Sequence, residues 1–322
     1  MSEKYRLVTR SDFDGLVCAM ILKELDLIDD IKFVHPKDMQ DGLIPVTDRD
    51  ITTNLPYVDG VHLAFDHHSS EVRDDKEQPD YIIEGEAPSA ARVVYEYYGG
   101  KEKLSCISDE IMDAVDKSDS AQFTMEDILH PQGWTLMSFL MDARTGLGRF
   151  HEFRISNYEL MMQLIDYCRE HPIEDVLLLP DVKERVELYF RQQQDFKDQL
   201  QRVTKMHDDV AVIYLKDEEI IYTGNRFLVY AMYPQAKISV HVMWGFRKQN
   251  TAVTIGKSIV NRASQVDIGE ICHYYGGGGH RNAGTCQLPN DEVDGILPDI
   301  LDLLNEKITL QELAKKKKNK RK

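Results

Sequence analysis

The sequence predicts an α/β protein of two domains, an N-terminal domain built on a parallel sheet and a C-terminal domain of mixed α/β structure, with a helical connector. Three observations predict it. Short strand-like runs alternate with helix-period segments from Tyr5 to Asp116, and such alternation needs crossovers that leave the strands parallel. From Thr124 to Met206 the pattern turns helical, and strand-like runs return at Val210. The 322 residues also exceed the ~250–300 at which single cores stop growing. The divisions read from the pattern are 1–123, 124–206 and 207–314, with a basic tail at 315–322.

Taken in order, Tyr5 to Thr9 reads as a short buried strand ended by Ser11-Asp12-Phe13-Asp14-Gly15. Leu16, Val17, Ala19, Met20, Leu22 and Leu25 then fit a 3.6-residue period and predict a helix. Ile31 to His35, Asp50 to Thr53 and His62 to Phe65 read as further strands, and Pro88 to Tyr98 and Ser108 to Asp116 as helices. In the middle of the chain Tyr158 to Arg169 and Val182 to Val203 are the clearest helices. Beyond them, Val210 to Leu215, Tyr222, Arg226 to Tyr230, Ile238 to Trp244 and Ala252 to Ile255 read as strands, followed by a helix near Leu297 to Leu304.

Composition narrows the function classes. The formal net charge is −16, and removing the seven basic groups of residues 315–322 leaves −23. A body that acidic repels long duplex nucleic acid, whose nonspecific affinity comes from neutralising many phosphates. Small anionic ligands remain compatible wherever a cleft is locally positive. The tail reads as the solvated end of the last helix, or as an arm that binds RNA or an acidic surface. Five scattered cysteines without a C-x-x-C pair argue against a disulfide framework or structural zinc and for a reducing cytoplasm. No run of about 18 apolar residues predicts a membrane span, and the first residues lack a signal peptide's apolar core.

Chemistry-bearing residues fall where strands end, which is where open parallel sheets bind ligands. Asp12-Phe13-Asp14-Gly15 places two carboxylates one residue apart beside a glycine that permits a tight turn. Hard divalent cations favour such oxygen ligands, although turns are rich in Asp and Gly for local reasons. Asp66-His67-His68 follows the apolar run Leu63-Ala64-Phe65. Adjacent histidines point in different directions, so one can ligate a metal while the other faces a substrate, with the carboxylate orienting an imidazole. Tyr275-Gly276-Gly277-Gly278-Gly279-His280-Arg281 predicts a loop whose N–H groups approach a phosphate unobstructed. Arg144 and Arg149 flank a glycine-containing turn and are candidates for bidentate phosphate contacts, with Arg154 a weaker one.

In this order, the motifs resemble those of the DHH/DHHA1 phosphoesterase superfamily, its exopolyphosphatase-like subgroup in particular. Asp12-x-Asp14-Gly15 is similar to the first motif, Asp66-His67-His68 to the name-giving one, and Gly276 to His280 with Ala283-Gly284 to the glycine-rich signature of the second domain. The resemblance implies an N-terminal DHH domain, a C-terminal DHHA1 domain, and a metal-dependent phosphoesterase with one or two Mn²⁺ or Mg²⁺ ions. It implies Asp12, Asp14 and His67 as metal ligands, Asp66 as the orienting carboxylate, and His68 facing the scissile phosphate. The later aspartate of the family falls at Asp116 or Asp119, with Asp119 the better fit to a D-x-x-x-F spacing. His280 and Arg262 are the implied contacts to substrate phosphates; Gly277, Gly278 and Gly279 of the glycine loop, and Arg144 if it is not a surface ion-pair partner, join them as substrate-binding candidates from the residues themselves.

Two departures stand out. The family's histidine before the first aspartate is absent from Val8-Thr9-Arg10-Ser11, and Asn54 stands where the family's second motif supplies a bridging aspartate. An amide cannot bridge two cations as a carboxylate does, and Arg10 brings positive charge where a metal belongs. The cation site that relies on Asp14, His67 and Asp116 or Asp119 is the more complete one. Asp48, Asp50 and Asp59 are the nearby carboxylates available to compensate.

The expected function is hydrolysis of a phosphodiester or phosphoanhydride in a short substrate, from the end of the chain. Arg10 and His68 would stabilise charge on the phosphoryl oxygens. Polyphosphate, which the subgroup's label favours slightly, and a short oligonucleotide or dinucleotide are the candidate substrates. A homodimer is compatible with the sequence, which does not set the oligomeric state. The competing expectation is a degenerate member that binds a phosphorylated ligand or partner without turnover. Arg10 and Asn54 favour it, and the joint presence of Asp12, Asp14, Asp66, His67 and His68 opposes it.

Overall fold

Residues 4–68, 79–150 and 152–320 are described by the computed structural model. The chain divides into two units, Met1–Arg191 and Gln192–Lys322. In the first, the elements run β1 (Tyr5–Thr9), α1 (Phe13–Glu24), β2 (Ile28–Phe33), α2 (Pro36–Gln40), β3 (Asp50–Thr53), β4 (Leu63–Asp66), β5 (Tyr81–Ile83), α3 (Ala90–Tyr97), α4 (Gly100–Lys103) and α5 (Asp109–Asp119). The helices α6 (Met125–Leu129), α7 (Gly133–Met141), α8 (Asn157–Glu170) and α9 (Ile173–Leu178) follow, and α10 (Pro180–Val203) contains the boundary between units. The five strands form one sheet in the order β2-β1-β3-β4-β5, parallel at every pairing.

The central helix α1 is buried from Phe13 to Leu22, which is why it is apolar all round instead of striped. It packs against α3, α5 and α8. Asp12 caps its start by accepting from Gly15 N at 3.0 Å. Residues 124–206, set apart in the sequence reading, divide between the units: buried residues of α7, α8 and α9 share the first core with α1. The second strand begins at Ile28, earlier than its apolar run suggests, because β1 starts at Tyr5 and pairs with Ile28 across a register shift. Asp29 and Asp30 are exposed on this edge strand and hide it from an apolar pattern.

The second unit continues with β6 (Thr204–His207), β7 (Val210–Tyr214), α11 (Leu228–Met232), β8 (Ile238–Trp244), β9 (Thr251–Lys257), α12 (Ile268–Tyr274), β10 (Gly278–His280), β11 (Ala283–Leu288), α13 (Val293–Leu304) and α14 (Leu310–Lys320). Its mixed sheet has the order β10-β11-β9-β8-β7-β6, with only β7 and β8 parallel. Val210, Val240, Val253, Ile268, Cys286 and Ile300 belong to its core.

Three expectations are corrected here. Tyr222 is not in a strand, because Gln199 and Gln192 of α10 accept from Tyr222 N and Thr223 N at 3.1 and 2.8 Å and take the place of a ladder. Arg226 to Tyr230 turns into α11, started by Asn225 accepting from Phe227 N at 2.9 Å, with Tyr230 Oη buried against Ser239 and Gly256 O. The glycine-rich loop is partly strand, since Gly278–His280 pairs with β11 as a hairpin. The basic run of the tail continues α14 to Lys320, and residues 321 and 322 lie outside the described ones. No described helix is long and apolar enough to cross a membrane.

Candidate metal centre

The carboxyl ends of β1, β3 and β4 lie side by side. The pairings Val8↔Thr52 and Thr53↔Phe65 carry the register on to Arg10, Asn54 and Asp66. The aspartates of α1's first turn and the end of α5 complete this edge.

Asp14 is 2% exposed, and its two oxygens accept from Ala90 N and Ala91 N at 3.1 and 2.7 Å, the first free amides of α3. Those amides fall short of compensating its charge. Burial, then the neighbouring Asp119, pushes the carboxyl well above the usual carboxylate range. His67 Nδ1 donates to Ala87 O at 3.1 Å, which turns Nε2 inward. Nε2 is buried without a hydrogen bond, yet lies 2.9 Å from Asp119 Oδ2. Burial opposes charge on this ring, but Asp119 and then Asp14 outweigh it and raise its pKa to about 9. Ligand atoms of Asp14, His67 and Asp119 all lie within 4.8 Å of one another. Two carboxylates and an imidazole nitrogen converge here, with Asp14 buried and His67 and Asp119 partly exposed, and such a donor set fits a divalent cation that accepts mixed oxygen and nitrogen ligands.

Asp12 is placed differently. Besides capping α1, its Oδ2 lies 3.1 Å from Arg10 Nε. It is absent from the group of converging ligand atoms. Arg144 is half exposed and held to Asp142 at 2.7 Å; burial opposes its charge, while Asp142, then Asp12 and Asp119, favour it. Arg149 instead folds over Gly146, where a Cβ would meet its Nη1 at 2.0 Å. Arg154 pairs with Asp181 at 3.7 Å. Asn54 is 1% exposed, sits at φ 54°, and neither its Oδ1 nor its Nδ2 has a partner among the described residues.

Asp66, also 1% exposed, accepts from His67 N at 2.9 Å and faces His68 Nδ1 at 2.8 Å. It thus orients His68, while Ala87 O orients His67. The two rings are tilted by 59°. Packing sets Asp116 and Asp119 apart. Asp116 accepts from Arg92 Nη2 at 2.6 Å and Ser89 Oγ at 2.7 Å, tying α5 to the start of α3 and leaving the cluster to Asp119. Asp116→Asn is therefore expected to cost about 1–2 kcal/mol of stability, discounted for partial exposure, while leaving Mn²⁺ affinity unchanged. Asp119→Asn should weaken Mn²⁺ at least tenfold; calorimetric titration of both variants checks the pair, and the opposite ranking would reassign the ligand.

In the second unit, two glycines have packing reasons. A Cβ on Gly277 would meet Thr285 O at 2.1 Å, and one on Gly279, at φ 151°, would meet Ala283 O at 2.4 Å. Gly278 has open space around its missing Cβ, so the fold does not require it to be glycine. His280 Nδ1 accepts from Asn282 N at 3.3 Å, and Arg262 Nε donates to Ile259 O at 3.1 Å. The residues that sequence reasoning missed are Ala87, Ala90 and Ala91, which act through their backbones. Pro88-Ser89 announces the start of a helix, the only signal of them in the sequence.

Scans of family models and of curated proteins return no match. Among solved structures, a pGpG-specific phosphodiesterase from Vibrio cholerae aligns with TM-score 0.78 and 55% identity over 94% of this chain and 99% of that one. RecJ from Thermus thermophilus, solved in complex with Mn²⁺, aligns with TM-score 0.52 and 14% identity over 95% of this chain and 53% of that one, a likeness of fold. With its motifs placed on this parallel sheet and a full-length relative at 55% identity, the chain belongs to the DHH/DHHA1 phosphoesterase superfamily.

Proposed function

We propose that the protein is a cation-dependent phosphodiesterase that hydrolyses short linear dinucleotides, pGpG the first to test, to nucleoside monophosphates. The observation that carries this reading is the convergence of Asp14, His67 and Asp119, with the buried His67 Nε2 2.9 Å from Asp119 Oδ2. The specificity printed for the relative at 55% identity supports a dinucleotide over polyphosphate. The acidic body supports a short substrate over a long one.

Asp14, His67 and Asp119 would hold Mn²⁺ or Mg²⁺. When bound, such a cation offsets charge on phosphoryl oxygens and makes water acidic enough to attack near neutral pH. The chain's own groups do the rest. Asp66 keeps the proton of His68 on Nδ1, so Nε2 faces outward and, when protonated, can give a proton to the leaving oxygen. Water oxygen bonds to phosphorus and gives up a proton to solvent, the ester P–O bond breaks, and the leaving oxygen takes the proton from His68. Arg10 and Arg144 stabilise the developing negative charge. In the second unit, Gly278, His280 and Arg262 are proposed as phosphate-binding residues, because backbone without a Cβ allows close approach.

The test is a substrate series in Mn²⁺: pGpG, a longer oligoribonucleotide, a nucleoside bisphosphate and polyphosphate. The kcat/KM on pGpG should exceed the others by on the order of 10²-fold. Equal or faster turnover of polyphosphate would overturn the dinucleotide assignment. Absence of turnover on all four would favour binding without catalysis, the reading that Arg10 and Asn54 support.

A further inference from the structure

We propose that this centre holds one divalent cation, not two, and that the Arg10 guanidinium takes the place of the second and binds the phosphoryl oxygens of the substrate directly. The catalytic part of this inference rests on the phosphodiesterase reading above; the ion count does not.

The ligand inventory leads there. Asp14, His67 and Asp119 form the one group of converging donors found among the described residues at this edge. A second ion would need Asp12 and a bridging carboxylate. Asp12 already accepts from Gly15 N with one oxygen and pairs with Arg10 through the other. The strand-end position of β3 offers Asn54, whose neutral amide cannot join two cations. Among the described residues, the carboxylates nearest in sequence are otherwise engaged or exposed. Asp50 is bound by Arg6 through both oxygens, at 2.6 and 3.0 Å, at the opposite end of β3. Asp116 is taken by Arg92 and Ser89. Asp48 and Asp59 are exposed.

A second cation beside Asp12 would be repelled by the guanidinium. Asp12 is the one carboxylate within ion-pair distance of Arg10 among the described residues, with its Oδ2 3.1 Å from Arg10 Nε. The Arg10 side chain is one-third exposed, so its planar guanidinium remains within reach of a phosphate. The unpartnered amide of Asn54 lies next in register between Arg10 and Asp66.

The full chain, stripped with chelator and titrated with Mn²⁺, is read by calorimetry and by electron paramagnetic resonance. Wild type should bind one ion and give the hyperfine-resolved spectrum of an isolated Mn²⁺. Two ions per chain with an exchange-coupled spectrum would overturn the proposal. The double variant Arg10→His with Asn54→Asp should gain a second, coupled ion; if it folds by circular dichroism and still binds one, these residues are not what excludes the second. Arg10→Ala and Arg10→Lys should keep one ion of unchanged affinity while kcat on pGpG falls on the order of 10²-fold for Ala. Unchanged kcat in Arg10→Ala would remove Arg10 from the chemistry. Ion counting needs no substrate, so a wild type without turnover rejects the phosphodiesterase reading while the spectrum still decides the ion number.

Discussion

Asp14→Asn is expected to abolish cation-dependent turnover without weakening the fold. The carboxylate sits 2% exposed against Ala90 N and Ala91 N, with Asp119 close by, and burial holds it well above its usual range. Such a group does little for the empty protein and becomes favourable once a cation neutralises it. Losing it removes several kcal/mol of transition-state stabilisation, roughly a 10³-fold drop in kcat or more. An asparagine oxygen still accepts from one of the two α3 amides while its Nδ2 faces the other, and relief of the unfavourable buried carboxylate offsets the lost hydrogen bond. The thermal midpoint without metal should therefore stay near the wild-type value. Mn²⁺ at a hundredfold excess over its Kd stabilises wild type by about 2.7 kcal/mol, a rise of roughly 5–10 °C for a unit of this size. The variant should show no such rise. Equal responses to Mn²⁺ in wild type and variant would place the cation elsewhere.

Gly15→Ala is expected to be the most damaging single methyl group in the chain. An added Cβ would lie 2.0 Å from Arg10 O and 2.9 Å from Thr9 Oγ1. The oxygen at 2.0 Å is backbone, so relief needs the β1–α1 turn itself to move. Overpacking of this kind costs about 3 kcal/mol. The same turn positions Arg10, Asp12 and Asp14, so activity should fall with stability. Denaturant unfolding with a parallel Mn²⁺ titration measures both. A variant with wild-type midpoint and affinity would show that the turn tolerates the methyl and that the glycine serves another purpose.

The sequence made the fold class and the main clusters readable for physical reasons. The strands Tyr5–Thr9, Asp50–Thr53 and Ile238–Trp244 coincide residue for residue with the runs read as strands. Where burial did not set the pattern, reading failed. The edge strand β2 carries exposed aspartates, β10 is nearly all glycine, and α11 consists of residues such as Val229 and Tyr230 that suit strands equally well. At the site, Asp14, His67 and His68 stood out by motif, but Asp116 and Asp119 share a helix face three residues apart and look alike in sequence. Arg92, fixed on a neighbouring helix, separates them. Backbone groups leave no trace in side-chain identity, which is why Ala87, Ala90 and Ala91 went unnoticed. The departures at Arg10 and Asn54 were visible as substitutions; their meaning needed the pairing with Asp12 and the unpartnered amide.

The central claim is cation-dependent hydrolysis at Asp14, His67 and Asp119. It is tested most directly by following pGpG in the chelator-stripped full chain before and after Mn²⁺ is added. The account predicts no cleavage before addition and conversion to nucleoside monophosphate after it. Cleavage that proceeds at the same rate under chelation, or none once Mn²⁺ saturates the protein, would contradict it.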